Sequence, residues 1–120
     1  DVIIRPIVGP EVITGSTRMK AGTATKLILN MLSTTTMIKL GKVYENLMVD
    51  LKAMNAKLTD RAERIIMAIT SVSRDDAKKL LTDAYGNAKV AIVMQKLSID
   101  YAEAKKRLDA HGGFVRKVLE

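Results

Sequence analysis

A chain of 120 residues, 48% of them hydrophobic and 28% charged, suffices for one compact domain or two small units and excludes an intrinsically disordered polymer. With no cysteine and a single histidine, disulfides and thiolate metal sites are excluded and a zinc site would have to be built almost wholly from carboxylates, so neither a metal nor a cofactor is assigned. The net charge of +7 invites a nucleic-acid reading, but one phenylalanine, three tyrosines and no tryptophan offer little stacking for single-stranded bases.

The chain opens on Asp1 and runs at once into Val2-Ile3-Ile4 and Ile7-Val8. That opening is expected of a segment of a longer protein. Pro6 within the run confines it to a strand end or a sheet edge, and Gly9-Pro10 closes it. Arg5 interrupts the run, and it is too short for a signal peptide. From Ser16 or Thr17 a long helix is predicted, with Ala24, Leu27, Ile28, Met31, Leu32, Thr35 and Ile38 recurring at steps of three and four up to Gly41. Its longest uncharged stretch, between Lys26 and Lys39, contains Asn30, Ser33 and three threonines. A bilayer span needs about 20 predominantly apolar residues. The protein is therefore expected to be cytoplasmic, with no membrane partner.

Residues 43–54 read equally as extended chain or short helix. A helix is predicted over 55–71, with Leu58, Ala62, Ile65, Ile66 and Ile69 on one face. Ser73 with Asp76 forms a variant capping box ahead of the stripe Ala77, Leu80, Leu81 and Ala84. After a Gly86-Asn87 turn, residues 88–97 are apolar nearly all round, which places that helix centrally. Asp100 with Glu103 starts the next helix, Gly112-Gly113 ends it, and Phe114, Val115, Val118 and Leu119 close the bundle. The architecture predicted is mostly α: 1–42 as the strand and long helix ending an α/β unit, 43–72 as a connecting segment with a helix, and 73–120 as a three-helix tail.

Charge is unevenly spread. Residues 1–42 carry six Lys/Arg against two acids, 43–72 four of each, and 73–120 ten against seven. The local excess surrounds Arg18, Lys20 and Lys26, beside a glycine-bearing loop, and suits a small anionic ligand better than a long nucleic-acid groove. A strand end passing through a glycine turn into a helix leaves backbone N–H groups that favour an anion. Ser16 and Thr17 could add hydroxyl donors, and Arg18 and Lys20 charge. The spacing is not that of a Walker loop. On these residues alone a second reading stands equally: Ser16 or Thr17 caps the helix, and Arg18 and Lys20 point into water.

The run GPEVITGSTRMKAGTATK, from Gly9 to Lys26, resembles the signature segment of N-acetylmuramic acid 6-phosphate etherases and glucokinase regulatory proteins. GKVYENLMVDLKAMNAKL and GNAKVAIVM further along resemble the etherase branch. The resemblance covers essentially the whole chain and corresponds to the C-terminal part of such an enzyme. It implies a sugar isomerase (SIS) α/β domain followed by a small tail like a ubiquitin-associated (UBA) domain. It also implies paired subunits, a cleft near their interface, and cleavage of the D-lactyl ether by elimination and water addition. The products would be N-acetylglucosamine 6-phosphate and D-lactate, in recycling of cell-wall sugars. The family's acid and base glutamates and its main Ser/Thr phosphate loop lie N-terminal to this segment, so no catalytic residue is assigned and the chain alone is expected to be inactive. Glu11, Ser16, Thr17, Arg18 and Lys20 match the signature and are assigned to the substrate cleft. A rival from another class is a non-catalytic module that senses sugar phosphates or docks a protein.

The remaining polar residues have plain structural readings. His111 beside Gly112-Gly113 suits a helix C-terminus, Asp75-Asp76 a first helical turn, and Lys105-Lys106-Arg107 a solvated face flanked by Glu103 and Asp109. The seven methionines read as core filler. Two expectations follow for folding. The tail should fold alone, and Val2–Val8, lacking neighbouring strands, should stay unordered or be completed by association between fragments.

Overall fold

A computed structural model describes residues 1–120, whose contacts separate into two compact units, 1–36 and 37–120. The protein is mostly helical, with six helices and one two-stranded sheet, and no helix is long and apolar enough to cross a membrane.

The first unit holds residues 1–18 and most of α1 (Met19–Lys39). Residues 1–11 carry no strand, which corrects the predicted opening β-strand. The reason lies in the backbone: a strand is defined by ladder hydrogen bonds, and no second strand runs beside Val2–Val8 to supply them. The apolar side chains there stand in solvent, with Val2 at 89% and Ile7 at 98% exposure. Helix α1 has the predicted apolar recurrence but buries none of its residues. Leu27, Leu29, Met31 and Leu32 are all more than half exposed. It also starts later than predicted, at Met19 rather than at Ser16 or Thr17.

The second unit is built round α4 (Ala88–Leu97). Six consecutive residues of this helix, Ala88 to Val93, are buried, as its all-round apolar sequence requires. Helices α2 (Ala56–Thr70), α3 (Arg74–Asp83), α5 (Tyr101–Ala110) and α6 (Val115–Leu119) pack against it. The tail thus has four helices, not three; the fourth is the five-residue α6, which buries Val115. The core includes Ile66, Ile92, Val93, Val115 and Val49, each essentially inaccessible to solvent.

Val49 belongs to the segment whose sequence left two readings open. It is extended: β1 (Val43–Tyr44) pairs antiparallel with β2 (Leu47–Met48), Val43 opposite Met48 and Tyr44 opposite Leu47. A bridge between Lys52 and Asn87 then ties the chain after the hairpin to the start of α4. Here Ala53 N–H donates to the Gly86 carbonyl at 3.1 Å. The connecting segment is therefore part of the same core as the helices that follow.

Caps set the element ends. Asn55, Ser73, Asn87 and Asp100 each accept backbone N–H bonds at the start of α2, α3, α4 and α5. Ser73 also donates its hydroxyl to Asp76 at 2.6 Å, completing the variant box. Helix α1 closes with Lys42 N–H on the Met37 carbonyl and Gly41 N–H on that of Ile38. Helix α5 closes the same way, with Gly113 on Leu108 and Gly112 on Asp109. His111 sits at that terminus, its Nδ1 2.8 Å from the Arg107 carbonyl oxygen.

The two glycine closures meet. Gly41 has φ +66°, and a Cβ there would lie 3.1 Å from both the Gly113 carbonyl oxygen and Phe114 Cδ2. Gly112 has a similar φ of +63°, but its Cβ would meet only ordinary contacts, at 3.7 Å and beyond. Left-handed backbone costs an L-residue about 1–2 kcal/mol. Gly112→Ala is expected to lose about that much, and Gly41→Ala distinctly more because backbone must also move. Thermal unfolding of the two variants, compared with the parent, checks the order.

Candidate functional site

Residues 9–18 form an irregular loop running into α1, with positive φ at Gly9 (+71°) and Gly15 (+89°). The first α-helical bond of α1 is Gly22 N–H to the Arg18 carbonyl at 2.8 Å, so Arg18 stands at the N-cap position. An Arg side chain has no acceptor with which to cap. The cap comes instead from Glu11: its Oε2 accepts from Lys20 N–H and its Oε1 from Ala21 N–H, both at 3.1 Å. These are the second and third donors of the helix, the pair that a Ser, Thr or Asp at the N-cap would ordinarily take.

The neighbouring hydroxyls do other things. Thr17 Oγ1 donates to the Ile13 carbonyl at 3.1 Å, closing the loop on itself. Ser16 is exposed. Neither caps α1, so the capping alternative fails for both hydroxyls.

The electrostatics follow from this geometry. The Ala21 and then the Lys20 backbone N–H groups hold the Glu11 carboxyl below the usual glutamate range, against the upward pull of desolvation, with a smaller contribution from the Lys20 charge. Glu11 therefore remains anionic through the neutral range and partly offsets the positive field of the loop.

Arg18 and Lys20 face different grooves. Arg18, Ala21, Gly22, Thr25, Lys26, Leu29 and Asn30 line a shallow groove of about 500 Å³ along α1, with two cations and the small residues that keep it open. Lys20 lines a mainly apolar groove of about 510 Å³ with Val8, Val12, Met19, Thr23, Ala24 and Leu27. The structure thus brings Glu11 to the backbone of Lys20 and places Arg18 and Lys26 along one groove, but it does not converge all five signature residues on one point. The groove with Arg18 and Lys26 offers guanidinium and ammonium donors to an anion such as a phosphate.

Lys26, Gly22 and Thr25 were within the signature but were not assigned from sequence. Helical spacing was the available signal, since residues 18, 22, 25, 26 and 29 share one face once 18 is fixed at the helix start.

No family model matches the chain. Curated relatives do. A Salinibacter ruber protein named N-acetylmuramic acid 6-phosphate etherase is 53% identical over 120 residues, covering 100% of this chain and 39% of the relative. A Serratia proteamaculans protein of the same name is 56% identical over 118 residues, covering 98% of this chain and 40% of the relative. N-acetylmuramic acid 6-phosphate etherase 2 of Vibrio cholerae is 50% identical over 119 residues, 99% of this chain and 39% of that protein. The likeness carried by the signature run therefore extends over the whole chain, which spans about two fifths of the length of the relatives it matches.

Proposed function

We propose that the chain is the C-terminal portion of a carbon–oxygen lyase that cleaves the D-lactyl ether of N-acetylmuramic acid 6-phosphate. The products would be N-acetylglucosamine 6-phosphate and D-lactate, in cell-wall sugar recycling. The observation that carries this reading is identity of 50–56% with etherases from end to end of the chain. The GPEVITGSTRMKAGTATK run, sitting where the loop enters α1, supports it. In this reading residues 1–42 end a SIS-type α/β domain, 43–72 connect, and 73–120 form the UBA-like tail. Glu11, Ser16, Thr17, Arg18 and Lys20 belong to the substrate cleft. The apolar surface of α1 then has a purpose: its exposed Leu27, Leu29, Met31 and Leu32 would be covered by the rest of that domain and by a second subunit of a homodimer.

In this reading the acid/base glutamates lie in the N-terminal part of the enzyme, and the chain alone is expected to be inactive. An assay of D-lactate release tests this with the chain by itself and mixed with a polypeptide supplying the N-terminal three fifths of an etherase. No release alone and release on mixing is the expected result. Release by the chain alone would overturn the assignment of the acid/base residues to the missing part. No release from a mixture that visibly associates would count against the etherase reading.

A second reading, a docking module, draws on Tyr85. This side chain is 81% exposed at the turn between α3 and α4, with its ring edge-on to Tyr101 at 4.8 Å. Retention of a protein partner by the parent and its loss on Tyr85→Ala, without any sugar-phosphate binding, would favour it.

A further inference from the structure

We propose that residues 114–120 form a strap that holds the end of α1 and the β1–β2 turn onto the helical core, and that it opens by itself while that core stays closed. All the residues concerned lie within 37–120, so the strap does not depend on the etherase reading. It gives the residues after α5 a role in fixing the last turn of α1.

The strap has two faces. Val115 is buried, and Val118 and Leu119 pack against the core, so one face of α6 belongs to the bundle. Phe114 and Arg116 instead line a cleft of about 280 Å³ with Ile38, Val43 and Glu45. The Phe114 ring reaches the residue that closes α1: a Cβ on Gly41 would stand 3.1 Å from Phe114 Cδ2. The Lys117 ammonium lies over the same ring, 4.6 Å from its centroid. Arg116 donates to the Glu45 carboxylate at 2.8 Å, across 71 positions of the chain, and so ties the strap to the turn of the hairpin. Glu45 holds its place with φ +51°, a left-handed backbone that glycine would adopt at less cost. What a glutamate adds at that turn is its partner on α6.

The hold is weak where the rest of the unit is firm. Helices α2 to α5 each start on a side-chain cap, whereas α6 starts at Phe114 with none. Five residues are too few for a helix to persist by itself. The side chains of Arg116 and Glu45 are both more than half exposed, so their pairing contributes little. Ile38, on the opposite wall of the cleft, is also half exposed. Segments with few buried contacts open at a lower cost than the whole fold. The hairpin has a second anchor, since Val49 N–H donates to the Lys42 carbonyl at 3.1 Å and Lys42 pairs with Asp50. Lifting the strap therefore uncovers Gly41 and leaves Val49 in place.

Amide hydrogen exchange of the full chain, followed residue by residue, tests this. Gly41 N–H is bonded to the Ile38 carbonyl and Glu120 N–H to that of Arg116. Both should exchange faster than Val49, Ile92 and Val93. In Arg116→Glu, and separately in Phe114→Ala, Gly41 and Glu120 should exchange several-fold faster still while the other three keep the parent's rates. Adding Glu45→Arg to Arg116→Glu should return Gly41 towards the parent.

A Gly41 amide that neither single variant moves would overturn the strap, because α6 would then not hold the end of α1. All five amides accelerating together would overturn its separate opening. A double variant that exchanges as fast as Arg116→Glu would remove the charge tie on which the hold over the hairpin rests.

Discussion

Replacing Ile92 by alanine is expected to lower the stability of residues 37–120 by about 2–5 kcal/mol. Ile92 has no exposed surface and sits mid-way along α4, the helix against which α2, α3, α5 and α6 all pack. A void there is walled by several elements at once, and closing it from one side would pull another away, so little of the cavity cost is recovered. A unit of this size holds only about 5–15 kcal/mol in total. Urea unfolding followed by helical circular dichroism measures the loss. Met54→Ala is the control, since Met54 is 82% exposed and its truncation should stay within about 0.5 kcal/mol of the parent. Equal losses in the two variants would mean that α4 is not the centre of the core.

The second large effect belongs to a polar group. Asp50 receives the Lys42 ammonium at 3.0 Å on one oxygen and the Lys89 ammonium at 3.1 Å on the other. Lys89 is buried within α4, with only 10% of its side chain exposed, so Asp50 is the carboxylate that neutralises an otherwise costly buried cation. Removing one partner of a fully buried pair costs about 3–5 kcal/mol; Asp50 keeps 36% of its side chain in contact with water, so Asp50→Ala should cost less, about 1–3 kcal/mol.

The pair also gives the protein an acid limb. Burial pulls the Asp50 carboxyl upward, but the Lys42 and Lys89 ammonium groups outweigh it and hold the group below the usual aspartate range. A carboxyl whose folded pKa is depressed contributes stability above its unfolded pKa and loses it as the pH falls through the folded value. Parent and Asp50→Ala should therefore differ most at neutral pH and converge in acid. Urea midpoints across that range would show it; a difference that persists undiminished in acid would mean that the pair acts through packing rather than charge.

Sequence periodicity served well wherever a helix is held by residues near it in the chain. Helix α2 was expected over 55–71 and runs Ala56–Thr70; α4 was expected over 88–97 and runs Ala88–Leu97. Ser73 and Asp100 were legible as caps because a hydroxyl or carboxylate three residues ahead of its N–H partner is a local spacing. Where the partner is distant, the signal vanishes. Two-residue strands are too short to alternate, so 43–54 could not be read, and Asp50 gave no hint that it would meet Lys89 across 39 positions. Glu11 was marked through the signature run, but its part as the cap of α1 was not legible. Ser and Thr beside the helix start were the natural candidates, and the carboxylate arrives from the far end of the loop, nine and ten residues before the N–H groups it caps. Val2–Val8 shows the same limit: its residues favour a strand, but a strand also needs a neighbour, and the one sheet of this chain lies elsewhere.

Helix α1 has a further consequence. It contains five threonines, a serine, an asparagine and Gly22 among its 21 residues, all poor helix formers, and three of its hydroxyls turn back onto its own carbonyls at Ala21, Asn30 and Leu32. Propagating a helix through such residues gains little per step, repaying the initial turn takes apolar burial, and α1 buries none of its residues. The helix–coil balance of residues 19–36 is therefore set by what covers them, whereas residues 37–120 carry the means of their order in their own core.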